Sequence, residues 1–162
     1  MTKKEIEQMR AIQKAFREDR ISFSNADLHS PDEENHEQPY RDENTIESFI
    51  QNEGNAYHFY EILSSKAGGK AAEVIKTMAS NAKQRETNLN NIYTKQNGNA
   101  YNKRNPNING NISLKNGLLW AIEVENSCIH QMLLYHNKSS IDSIIQSKIC
   151  DIHLLYLALY HI

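Results

Sequence analysis

Residues 44–67, NTIESFIQNEGNAYHFYEILSSKA, decide how the chain is read. Apolar side chains recur there at spacings of three and four: Ile46, Phe49 or Ile50, Ala56 or Tyr57, Tyr60 and Leu63. That is the period of a helix with one buried face. Asn44 is placed to cap its start, and Gly68-Gly69 to end it. In the middle of the stripe, where another apolar residue would fit, stands Glu53. A carboxylate on an inward face costs several kcal/mol unless a cation meets it.

Three further segments share the period. Helix 2 spans about Lys70 to Gln96, with the stripe Ala71, Ile75, Met78, Ala82, Arg85, Leu89 and Ile92. Here the intruder is a cation, although an arginine stem can also snorkel outward from a stripe edge. Helix 3 is capped by Ser113 and carries Leu114, Leu118, Ala121, Glu125, Cys128, Met132 and Tyr135. Its intruder is again a glutamate. Ser139 and Asp142 resemble a capping box that opens helix 4, with Ile145, Ile149, Ile152, Tyr156 and Leu159 inward and Cys150 and His153 beside them. Glu61, Glu73 and Glu123 fall off the stripes, on the solvent side.

Four such helices predict an all-α fold, an antiparallel four-helix bundle over residues 44–162. The connection NGNAYNKRNPNINGN, residues 97–111, looks short for a crossover along the whole bundle, so the expected order is up-down-up-down. Ahead of the bundle, residues 3–19 place Ile6, Met9, Ile12 and Phe16 on one face of a short helix. Residues 20–43 are polar, acidic and aperiodic, an extended arm. Residues 1–43 therefore form one region and 44–162 another.

At 162 residues the chain is long enough to bury a core. The net charge of -2 leaves no basic surplus for nucleic acid. No apolar run approaches the roughly 18 residues of a membrane span, and the N-terminus lacks a signal-type apolar segment. A cytoplasmic location is expected, with Cys128 and Cys150 as reduced, buried thiols. A second copy of the chain or an unidentified protein is then the class of partner left. Gly68-Gly69-Lys70 lacks the remainder of a phosphate-binding loop.

The segment 44–162 resembles the ferritin-like superfamily, in particular short rubrerythrin-like proteins of bacteria. The likeness rests on Glu53 followed seven residues later by Tyr60, on Glu125 in LLWAIEVENSCIHQM, and on the NLNNIY ending of helix 2. Members of that family hold two irons with one Glu from each of helices 1 and 3 and a Glu-x-x-His from each of helices 2 and 4. Aligned on Ile92 and Tyr93, this chain has Ala82 and Arg85 at the helix 2 ligand positions. Helix 4 has two registers open: Cys150 with His153, or Ile149 with Ile152. Met132 stands where a second Tyr is common.

The resemblance thus implies a degenerate di-iron site. In one reading Arg85 replaces the metal and bridges Glu53 and Glu125, no cofactor is held, and the protein has a structural or interaction role. In the alternative, Glu53, Glu125 and His153 keep a residual iron, manganese or zinc site, with a di-iron type oxidoreductase or iron-handling role. A third reading is a helical adaptor unrelated to ferritins, with Glu53 turned to solvent.

Overall fold

The computed structural model describes residues 45–106, 108 and 110–162. The expected helix over 3–19 and the arm over 20–43 lie outside the described residues. Among the described residues there are four α-helices: α1 Ile46–Lys66, α2 Gly69–Asn97, α3 Leu114–Leu133 and α4 Asp142–Tyr160, with a 3₁₀ turn Lys138–Ser140 before α4. The described residues contain no strand, and the fold is an all-α four-helix bundle.

Local chemistry sets the ends. Thr45, not Asn44, caps α1: Thr45 Oγ1 accepts from Ser48 N while Ser48 Oγ accepts from Thr45 N, a reciprocal capping box. Ser113 caps α3 by accepting from Asn116 N. The expected Ser139–Asp142 box is replaced by the 3₁₀ turn, and Ile141 precedes α4 with no side-chain cap. Gly98 closes α2 at φ 79°, a left-handed conformation that glycine adopts without strain.

The contacts fix the direction of each helix. Along α1 and α3, Asn52 meets Cys128 while Leu63 meets Gly117, so these two run opposite ways. Along α2 and α4, Asn81 meets Asp151 while Arg85 meets Ser147, again opposite. The tight link Ala67–Gly68 turns α2 back on α1. Hence α1 and α4 run one way and α2 and α3 the other. The order is up-down-down-up, and the expectation of up-down-up-down is corrected.

The reason is chain geometry. An extended segment covers about 3.3 Å per residue against 1.5 Å in a helix. Residues 98–113 are therefore ample to run the length of α1. Tyr101 begins this strap, its N–H donating to Asn90 Oδ1 and its ring edge-on to Tyr93. Arg104 N donates to Gln51 Oε1 and Gln51 Nε2 donates to Arg104 O, so one side-chain amide acts as a strand partner. Farther on, Lys66 Nζ donates to the carbonyls of Gly110 and Ile112.

The apolar core falls into two parts. Toward the α1–α2 link lie Phe59, Tyr60, Leu63, Ile75, Met78, Leu118 and Leu155. Toward the α3–α4 link lie Phe49, Ile50, Leu89, Met132, Ile141, Ile144 and Ile145. Between the two sits a layer of charge.

Candidate functional site: a buried five-residue ion cluster

The layer takes one or two side chains from every helix: Glu53 from α1, Arg85 from α2, Glu125 from α3, Lys148 and Asp151 from α4. All five are at most 2 % exposed, so water cannot solvate them and they must solvate one another. Arg85 Nε donates to Glu53 Oε2 at 2.8 Å, and Arg85 Nη1 to Asp151 Oδ2 at 2.6 Å and to Ser147 Oγ at 3.1 Å. Lys148 Nζ donates to Glu53 Oε1 at 2.6 Å. It also stands 2.6 Å from Glu125 Oε2, as an ion pair without hydrogen-bond geometry. Tyr60 donates its hydroxyl to Glu125 Oε1 at 2.7 Å, and Asn81 Nδ2 donates to Asp151 Oδ1 at 2.7 Å.

Three carboxylates face two cations here, and the titration behaviour follows. Burial pushes the Glu53 carboxyl up, but Arg85 and Lys148 together hold it below the usual carboxylate range. Burial also pushes Asp151 up, and Arg85 with Asn81 does not fully offset it, so its carboxyl stays above the usual value. Burial lowers the pKa of Arg85 and of Lys148, and their carboxylate neighbours more than reverse that; both stay charged.

Of the residues singled out from sequence, Glu53 and Arg85 are in direct contact, and Glu125 lies in the same layer. Glu125 is bridged by Lys148 rather than by Arg85. His153 is not brought in: it is exposed on the outer face of α4, its Nδ1 2.9 Å from the Ile149 carbonyl oxygen of its own helix. Cys150 is also exposed and Cys128 buried, and the two are not joined in a disulfide. Both open registers of helix 4 are thereby corrected. The inward i, i+3 pair is Lys148 and Asp151, one position before Ile149 and Ile152 and two before Cys150 and His153. Ile149, expected in the core, is 36 % exposed.

Lys148 and Asp151 were missed because α4 is apolar on most of its surface, so periodicity gives it no phase. A charge count held the signal. Two inward glutamates and one inward arginine leave a carboxylate without a cation, and Lys148 is the sole Lys or Arg within α4. Also missed was the sealing of the polar run Gln51, Asn52, Glu53, Gly54 and Asn55, which is buried on every side. The strap closes its outer side. Lys103 crosses Gly54, where a Cβ would meet its Nζ at 3.3 Å, to reach Glu86 Oε1 at 2.6 Å.

The donor set does not suit a di-iron centre. A dication placed between Glu53 and Glu125 would share its space with the Lys148 ammonium, which touches both. Among the described residues, no three His, Cys, Asp or Glu side chains are grouped to hold a metal ion. Likewise no described helix is long and apolar enough to cross a membrane. No family model, no curated protein and no solved structure matches the chain.

Proposed function

We propose that this chain is a ferritin-type bundle in which an internal ion network has taken the place of a di-iron centre, with a structural or interaction role rather than redox catalysis. One observation carries the reading: Arg85 and Lys148 lie between the carboxylates of α1, α3 and α4, at mid-bundle, where such proteins bind metal. Two further features support it. A single long crossover between the second and third helices is the connectivity of ferritin-like bundles. The inward positions also follow the di-iron pattern, one glutamate each on α1 and α3 and an i, i+3 pair on α4, with Lys-x-x-Asp in place of Glu-x-x-His. Two cysteines not joined in a disulfide fit a reducing compartment, and a cytoplasmic location belongs to this proposal.

Metal analysis tests it. Protein purified without chelators should carry far less than one iron per chain, and added ferrous iron should leave the melting temperature unchanged. A ligand that binds only the folded state at 100 times its Kd stabilises by about 2.7 kcal/mol, so tight binding could not escape notice. One or two firmly bound irons with a raised melting temperature would return the protein to the metal-dependent class.

A further inference from the structure

We infer that the charge layer is a register key: it selects one alignment of the four helices out of several that the apolar faces alone would accept. This stands whether or not the chain descends from a metal-binding bundle.

On α4 the apolar contacts select no register unaided, whereas between α1 and α3 Leu63 seated on Gly117, where a Cβ would meet it at 2.5 Å, is an apolar key of its own. On α4 and at its N-cap the inward residues away from the layer are Ile141, Ile144, Ile145, Leu155 and Ala158. Sliding α4 by one turn, about 5.4 Å, would still set aliphatic side chains against the aliphatic side chains of α2 and α3. What the slide forbids is the fate of Lys148 and Asp151. Each would leave its partner and enter one of the two apolar cores as an unpaired buried charge.

Charged ties reach every helix. Glu53 ties α1 to α2 through Arg85 and to α4 through Lys148. Glu125 ties α3 to α4 through Lys148 and to α1 through the Tyr60 hydroxyl. Asp151 ties α4 to α2 through Arg85 and Asn81. Each ion pair joins opposite charges on different helices, so no helix can shift or rotate alone without stranding one. The layer is at the same time poorly tuned for stability. Glu125 Oε2 has no hydrogen-bond donor in line, and Arg85 Nη2 has no acceptor among the described residues. Buried ion pairs add little net stability over well-packed apolar residues, and setting register is their best-attested use.

The full chain with Glu53→Leu, Arg85→Met, Glu125→Leu, Lys148→Met and Asp151→Leu tests this. The expected result is retained helicity and an unchanged or higher urea midpoint, with loss of the single set of backbone amide resonances. One sharp set of resonances with the native Leu63–Gly117 proximity would overturn the inference. Loss of helicity would overturn it too, since the layer would then supply stability. A milder pair, Glu125→Leu with Lys148→Met, removes the charged tie of α3 and the Lys148–Glu53 bond, while Glu53 and Asp151 keep Arg85. It should double the amide resonances of residues 114–133, and a single set there would count against the key.

Discussion

Lys148, in the middle of α4, sets its ammonium 2.6 Å from a carboxylate oxygen of Glu53 on α1 and 2.6 Å from one of Glu125 on α3. One lysine thereby joins three helices at the centre of the bundle. Replacing it by methionine keeps the volume, leaves Glu125 without a cation and leaves Glu53 with Arg85 alone. Lys148→Met should destabilise by about 3–5 kcal/mol in urea unfolding, the range for breaking a buried pair from one side. A loss under 1 kcal/mol would mean that water reaches the layer.

Arg85 behaves similarly on the other flank. Arg85→Ala removes the cation shared by Glu53 and Asp151 and should also lose about 3–5 kcal/mol. Arg85→Lys restores charge but not the fork that reaches both carboxylates, so it should recover only part of the loss. Equal stability of Arg85→Lys and wild type would show that geometry is unimportant there.

Protonation separates the two flanks. The folded-state pKa of Glu53 lies below its ordinary 4.5, so its contribution is present above that pH and is lost as pH falls through the folded value. For Asp151 the folded value lies above the ordinary 3.8. Its contribution is greatest below pH 3.8 and declines as pH rises through the folded value. Asp151→Asn should therefore cost less at pH 7 than Glu53→Gln, and should make stability fall more steeply on acidification. Parallel acid-unfolding curves for wild type and Asp151→Asn would contradict this.

His153 offers the converse. It is exposed and outside the layer, so His153→Ala should change stability by less than about 0.5 kcal/mol. It should leave metal content unchanged as well. A large effect on either would place the imidazole in the site after all.

The strap has its own signature. Gln51→Ala removes both hydrogen bonds to the Arg104 backbone and should cost about 1–3 kcal/mol. Hydrogen exchange at the Arg104 amide should accelerate, while exchange within α3 stays slow. Unchanged protection at Arg104 would show that the strap is held elsewhere.

Much of this arrangement was legible in the chain itself. Glu53, Arg85 and Glu125 announced themselves because each interrupts a stripe whose other members are apolar, and a clean stripe fixes the phase of its helix. No such stripe exists on α4: Ile149, Ile152, Leu154 and Leu157 are as apolar as Ile144, Ile145 and Leu155, and burial differs only because partners differ. The inward turn of Lys148 and Asp151 is a tertiary fact, set by carboxylates and a guanidinium on three other helices. The strap was misjudged for a different reason. An extended chain advances more than twice as far per residue as a helix, so a segment with fewer residues than α1 still spans it.

The layer also bears on how fast the protein comes apart. Its partners are far apart along the chain, 32 residues for Glu53 and Arg85, 66 for Arg85 and Asp151, and 95 for Glu53 and Lys148. Contacts between such distant segments follow the closure of long loops, and these charges give up their water only when all four walls have met. Interactions completed after the rate-limiting step leave the folding rate nearly untouched and slow unfolding instead. A layer that closes last would act as a latch: whatever its net effect on equilibrium, it would lengthen the lifetime of the closed bundle.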